Sequence, residues 1–279
     1  MDNVKIALCQ MNVIDDKDAN IKKAISMIET SKKKEAELII LPEMFNCPYQ
    51  NDKFIEYSEV EKDSYTLSKI AEIAKKNSVY ILAGSIPEKE INKDSEEKIY
   101  NTSFLFDRNG NVIAKHRKMH LFDIDVKDKI YFKESDVLTS GNQFTIANTE
   151  FGKIGIGICY DIRFPELARI MALEGAKILV YPGAFNLTTG PAHWELLFKS
   201  RALDNQLFCV GVAPALNKEA SYSSFGHSII TNPWGEIISE ANYDEELLIA
   251  EINLDEIEKI REEIPLLKNR RKDLYSVKY

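Results

Sequence analysis

Short apolar runs alternate with amphipathic stretches along all 279 residues. Buried strands covered by helices produce that pattern; a helical bundle or an all-β sandwich does not. Residues 4–10 read as a strand, Ile21, Ala24, Ile25 and Ile28 mark one face of a helix, and residues 38–41 read as a second strand stopped at Pro42. Together they make a βαβ unit. Residues 153–158 read as another strand, Pro165 opens a helix carrying Leu167, Ile170 and Met171, and residues 178–181 form the next strand, stopped at Pro182. The segment 38–45 sets beside 178–185, and each half later supplies a hairpin-like turn, at 109–110 and at 232–235. The expected fold is α/β with pseudo-twofold βαβ halves. Strand ends at Glu43, Cys159 and Gly183 should then converge on one edge, where open α/β sheets bind ligands.

With 44% hydrophobic residues the chain can bury a sizeable core, and one domain over 1–279 is expected. The polar stretch 88–98 reads as a surface excursion, and Asp255 onward as a closing helix and tail. A formal charge of −8 argues against nucleic acid as a partner, because phosphate binding needs a concentrated excess of Lys and Arg. No apolar run reaches the roughly 20 residues of a membrane span, and the N-terminus lacks the apolar core of a secretory signal. A soluble, unprocessed cytoplasmic protein is expected. Cys9, Cys47, Cys159 and Cys209 have neither the density of a disulfide framework nor a paired metal-knuckle spacing, so free thiols are expected. His116 and His120 lack an HExxH pattern or a nearby third ligand and read as structural; no metal site is expected.

Cys159 differs from the other cysteines. It follows the apolar strand Ile-Gly-Ile-Gly-Ile and precedes Tyr160-Asp-Ile-Arg-Phe-Pro-Glu-Leu167, so its thiol sits at a strand-to-helix turn. Such a turn exposes a nucleophile, and a partly positive helix end there should lower its pKa. Cys9 and Cys209 lie within apolar strands and read as structural, Cys47 as a bystander. A thiol hydrolase needs a proton acceptor and something to hold the developing oxyanion. His193 or His227 could accept the proton. So could Glu43, a carboxylate directly after a strand and Pro42, where charge makes structural sense only if it faces a pocket.

Three stretches, 41–45 (Leu-Pro-Glu-Met-Phe), 115–122 (Lys-His-Arg-Lys-Met-His-Leu-Phe) and 157–166 (Gly-Ile-Cys-Tyr-Asp-Ile-Arg-Phe-Pro-Glu), resemble in order and spacing the Glu, Lys and Cys motifs of the nitrilase, or carbon-nitrogen hydrolase, superfamily. The resemblance spans essentially the whole chain. At 181–195 and 201–206 it narrows to the omega-amidase branch. It implies a four-layer αββα sandwich, homodimers, no cofactor, and hydrolysis of the terminal amide of 2-oxoglutaramate or 2-oxosuccinamate. Other branches, acting on deaminated glutathione or N-carbamoyl amides, share the triad, and a catalytically silent scaffold is the remaining alternative. By resemblance Glu43 is the general base, Cys159 the nucleophile, and Lys118 with the Tyr160 backbone N–H the oxyanion site. Glu134 orients the lysine or the amide, and its charge should raise the apparent pKa of Glu43. Arg163 is the candidate for the substrate carboxylate, with an ion pair to Asp161 or Glu166 as its structural alternative. Phe185, Thr189 and Tyr49 match the family's substrate pocket. Phe225, where relatives often carry Trp, and residues 126–129, in place of a Gly/Pro-rich loop, depart from the pattern.

Overall fold

Side chains on a strand alternate between its two faces, and this alternation decides what each strand here touches. The computed structural model describes residues 3–128 and 130–277; Lys129, in the departing loop, lies outside them. In chain order the elements are β1 (Asn3–Gln10), α1 (Lys17–Lys33), β2 (Leu38–Ile40), α2 (Asn51–Tyr57), β3 (Glu59–Val60), α3 (Tyr65–Asn77), β4 (Tyr80–Ile91), β5 (Glu97–Phe106) and β6 (Val112–Arg117). A hairpin of β7 (Asp123–Val126) and β8 (Ile130–Lys133) follows. The chain continues through β9 (Thr145–Thr149), β10 (Gly152–Ile156), α4 (Pro165–Leu173), β11 (Ala176–Pro182), α5 (Gly190–Asn205), β12 (Phe208–Val212), β13 (Ile229–Thr231), β14 (Ile237–Glu240), β15 (Glu246–Asn253) and α6 (Asp255–Glu263).

The first large sheet has the order β15-β1-β2-β4-β5-β6, with β3 beside β4; the second has the order β9-β10-β11-β12-β13-β14. In each, three central parallel strands carry one antiparallel neighbour on one side and two on the other. The expected pseudo-twofold relation is therefore present in the strand pairing itself. It matches β2, which leads into Pro42 and Glu43, with β11, which ends at Pro182 before Gly183. The halves differ in where the first edge comes from. β9 directly precedes β10, whereas β15 returns from the far end of the sequence to pair with β1 along its 8 residues.

Val4, Ile6 and Leu8 of β1 and Ile40 of β2 pack against Ile154, Ile156, Val180 and Phe208 in a core between the sheets. The alternate side chains face outward to helices: Ala7 and Cys9 to α1 and α3, Leu179 and Tyr181 to α4 and α5. Four layers result, α-β-β-α, as expected. Phe208 is fully buried between the sheets, and Phe208→Ala should cost about 3–5 kcal/mol, read from a denaturant midpoint. Cys9, buried against Ser31, is pushed up to about 12 by desolvation, as an inert core thiol should be.

Residues 88–98 form a surface excursion as expected, exposed from Glu90 to Lys98, with Glu88 as the exception. They continue β4 and β5 into a long hairpin, and Glu88 is buried, accepting from Thr102, Lys115 and Arg117. Beyond Lys89 the hairpin stays exposed through residue 98, with Lys89 paired to Glu97 and Glu90 to Arg117 at its surface. Among the described residues no helix is long and apolar enough to cross a membrane.

Candidate active site

Each central residue reaches the site through a local feature of its strand end. Glu43 follows β2, where Pro42 supplies no N–H to continue the ladder. Gly84 lets the neighbouring strand close in: a Cβ there would lie 2.0 Å from the Pro42 carbonyl oxygen and 2.4 Å from that of Leu41. Lys118 follows β6, its N–H donating to the Asn101 carbonyl at 2.8 Å. The hairpin β7–β8 then carries the chain away and back, returning Glu134 beneath Lys118. Cys159 follows β10 and opens a single 3₁₀ turn, Cys159–Arg163, with φ at +46°. That left-handed conformation costs a non-glycine residue about 1–2 kcal/mol, so the surrounding contacts must hold it.

Glu43, Lys118 and Glu134 are fully buried and Cys159 is 4% exposed. Lys118 Nζ donates to Glu43 Oε1 at 3.0 Å and to Glu134 Oε1 at 2.8 Å. Glu43 also accepts from Asn101 Nδ2 at 2.8 Å and from the Ala184 N–H at 2.7 Å, and it lies close enough to the Cys159 thiol for each to shift the other's titration. Glu134 accepts from the Tyr49 hydroxyl at 2.5 Å and from the Phe122 N–H at 2.7 Å. The strand ends converge as expected. Ala184, directly after Gly183, grips Glu43, and a Cβ on Gly183 would stand 3.2 Å from Cys159 Cα.

Burial raises Glu43 above the ordinary carboxylate range, and the charge of Glu134 adds to the rise while Lys118 opposes it. The expected direction holds, with desolvation rather than Glu134 as the larger cause. Three N–H donors point at Glu43, so its acceptor form is the carboxylate. Burial works against the Lys118 ammonium, but Glu134, Glu43 and Cys159 together hold it well above the usual lysine value. The expectation of an acidified thiol is corrected. Burial first, then the neighbouring Glu43, push Cys159 well above the usual cysteine value, and Lys118 offsets this only in part. A five-residue 3₁₀ turn has too small a dipole to compete with full desolvation.

The histidines serve elsewhere. His116 and His120 both bond Asp161, and His227 meets Glu240 at 3.2 Å and stacks on Phe225. His193 Nδ1 accepts from Arg163 Nη1 at 3.1 Å, and burial and that guanidinium lower its pKa. Of the two alternatives to carboxylate chemistry at Cys159, neither His193 nor His227 contacts the thiol in these bonds.

Arg163 pairs with neither Asp161 nor Glu166; among the described residues no carboxylate lies within ion-pair distance, and its buried Nε has no partner. The guanidinium instead lies over the Phe185 ring, 4.7 Å from the centroid, and 5.7 Å from that of Tyr160. Phe185 is buried edge-on against Trp194. Thr189 caps α5 with its N–H and hydroxyl turned to Asn186 Oδ1. Tyr49 has its hydroxyl committed to Glu134, while its ring faces Phe132 and Tyr222.

Sequence reasoning missed Asn101, the Ala184 N–H and Tyr222, whose hydroxyl donates to the Ala184 carbonyl at 2.6 Å. Asn101 had a signal. Asn101, Thr102 and Ser103 are consecutive polar residues inside a strand, and all three are fully buried.

The sequence profile of the carbon-nitrogen hydrolase family matches residues 5–262. Omega-amidase NIT2 of Bos taurus is 46% identical over 277 residues, covering 99% of this chain and 98% of that protein. Nitrilase homolog 2 of Dictyostelium discoideum is 47% identical over 273 residues, covering 98% and 82%. Among solved structures, Nit3 of Saccharomyces cerevisiae, a member of branch 10 of the nitrilase superfamily, aligns with a TM-score of 0.88 at 41% identity, over 97% of each chain. With the profile, the relatives and the fold in agreement, this chain belongs to the carbon-nitrogen hydrolase family of the nitrilase superfamily.

Proposed function

We propose that this chain is an omega-amidase that hydrolyses the terminal amide of 2-oxoglutaramate or 2-oxosuccinamate to the 2-oxo acid and ammonia. The observation that carries the reading is the buried set of Cys159, Glu43, Lys118 and Glu134 beside Arg163, a guanidinium with no carboxylate partner among the described residues. The relatives named omega-amidase support the branch.

In this reading Glu43 takes the thiol proton as Cys159 Sγ attacks the amide carbon. The carbonyl electron pair moves to oxygen, where Lys118 Nζ and the Tyr160 backbone N–H hold the oxyanion. Collapse breaks the C–N bond, Glu43 returns the proton to the leaving ammonia, and a thioester remains. Water then gives a proton to Glu43 as it attacks, and the thiol leaves reprotonated. The high thiol pKa means that the resting nucleophile is neutral and ionises only as the proton reaches Glu43. Burial-raised Glu43 is a stronger base than a solvated carboxylate. Its base form is lost as pH falls through a range above the ordinary carboxylate values. The acid limb of kcat/KM against pH should lie there; a limb at the pKa of a free carboxylate would contradict Glu43 as the base.

Arg163 would bind the carboxylate at the far end of the substrate, with Phe185, Thr189 and Tyr49 completing the pocket. Arg163→Met should raise KM for 2-oxoglutaramate about 10- to 100-fold, the loss of a charge-assisted hydrogen bond of about 1.5–3 kcal/mol. An unchanged KM would remove Arg163 from recognition.

Ammonia release from 2-oxoglutaramate, deaminated glutathione and N-carbamoyl compounds tests the assignment. Turnover of another amide with none of 2-oxoglutaramate would move the chain to a different branch, and no turnover at all would leave a scaffold.

The reading extends to a single-domain homodimer in a reducing cytoplasm. Free, buried Cys9, Cys47 and Cys209 suit that compartment. Leu196 and Leu203 lie seven residues apart on α5, 63% and 47% exposed, and Leu203 borders the turn that presents Trp234. A second copy covering this apolar patch accounts for it. Sedimentation should give twice 31.9 kDa, and Leu196→Glu with Leu203→Glu should give the monomer.

A further inference from the structure

Two residues before Lys118 and two after it, a histidine turns to the same carboxylate. Asp161 is fully buried and lies two residues after Cys159. Its Oδ1 accepts from the His120 ring Nδ1 at 2.7 Å and from the His120 backbone N–H at 3.0 Å. Its Oδ2 accepts from His116 Nε2 at 3.0 Å and from the Ile158 N–H at 2.9 Å. One carboxylate thus gathers three donors from the segment that carries Lys118 and one from the residue just before Cys159.

Each attachment is itself held. His116 Nδ1 lies 3.1 Å from the Thr145 hydroxyl, which in turn donates to the Lys115 carbonyl. His120 stacks on Phe164, with ring centroids 3.6 Å apart and planes 11° from parallel. The Asp161 N–H closes the turn onto the Ile158 carbonyl at 3.0 Å. Burial works against the Asp161 charge, but the hydrogen bonds from His116 and His120 outweigh it and hold the carboxyl well below the usual range.

We propose that Asp161, His116 and His120 form a brace that fixes Lys118 relative to Cys159, and that all three are positioning residues of the reaction. The physical need is plain. Cys159 sits in a left-handed backbone conformation that costs about 1–2 kcal/mol, and Lys118 reaches the site from the other sheet. Nothing in the order of the sequence couples them, whereas the oxyanion donor must meet the carbon that the thiol attacks to within a fraction of an ångström. A carboxylate accepting four hydrogen bonds is a rigid joint between those two backbones. The inference rests on the reading of Cys159 and Lys118 as nucleophile and oxyanion donor.

The test compares paired substitutions. His116→Leu removes the bond to Asp161, whereas His116→Gln can present an amide N–H where Nε2 stood. His120→Leu and His120→Asn do the same for Nδ1, at a residue whose side chain is 29% exposed and so a smaller hazard to folding. For each folded variant, kcat and KM for 2-oxoglutaramate are measured together with the rate at which iodoacetamide alkylates Cys159, followed by intact mass.

The leucine variants should lose about 30- to 100-fold in kcat, the scale of an ångström's misplacement, with KM little changed and alkylation slowed about tenfold. The amide variants should regain most of both. A role in stability alone would lower the melting temperature without moving kcat against KM. Leucine variants with near-wild-type kcat and alkylation would overturn the brace, as would glutamine and asparagine variants that lose as much as leucine. Should wild-type enzyme release no ammonia from 2-oxoglutaramate, the substrate reading fails, and the alkylation series still judges the brace.

Discussion

Cys159→Ala should lower ammonia release from 2-oxoglutaramate by at least about a thousandfold, since removing a covalent nucleophile leaves only binding and oxyanion stabilisation. Cys159→Ser should fare little better. In the proposed mechanism Glu43, the neighbour that together with burial raises the thiol pKa, receives the thiol proton, yet a hydroxyl gives up its proton far less readily than a thiol. In that mechanism the residue that makes sulfur workable in a site this dry is therefore Glu43 and not a preformed thiolate. Single-turnover measurement separates the possibilities: wild type should accumulate a mass adduct equal to the acyl group, and the alanine variant none. Activity surviving in Cys159→Ala would overturn the mechanism while leaving the fold untouched. The fold should survive the substitution, because the thiol makes no hydrogen bond on which the sheets depend.

What could be read from the residues was what local periodicity encodes. A strand of alternating Gly and Ile followed by Cys159 announces a turn that presents a side chain, and Leu-Ile-Ile-Leu-Pro before Glu43 announces a strand stopped by an imino acid. The likeness of those two halves also held, because the pairing order of the two large sheets is the same. Glu134 came only from resemblance. Its meeting with Lys118 depends on the hairpin between them, and residues 123–133 carry no signal that the chain will double back beneath its own strand end. The contact between Asp161 and His116 spans 45 positions and two sheets, a distance across which side-chain pattern says nothing. The thiol pKa failed for a different reason. Its sign depends on how much water the finished site admits, which the turn alone does not reveal. Glu88 was misread because a charged stretch looks solvated until its Arg and Lys partners arrive from β6.

Lys118→Met should be nearly as damaging to activity as loss of the thiol, and far more damaging to stability. The ammonium is fully buried between two carboxylates, 3.0 Å from Glu43 and 2.8 Å from Glu134. Removing one oxyanion donor costs about 10²–10³ in kcat. The remaining pair then cannot both ionise in a dry cavity, so Glu43, already raised by burial, takes up a proton and ceases to be a base. Breaking a buried ion pair by removing one partner costs about 3–5 kcal/mol. The sign with pH follows. With Lys118 gone, Glu43 rises further above its unfolded value, so the variant approaches wild-type stability below the ordinary carboxylate range and loses it as pH rises through the raised value. Denaturant midpoints at pH 5 and pH 8 measure this, and the deficit should be larger at pH 8. Adding Glu134→Gln to Lys118→Met removes one of the two facing charges and should recover part of the stability without recovering ammonia release. A deficit equal at both pH values would mean that packing of the lysine stem, and not the unpaired carboxylates, holds this part of the fold together.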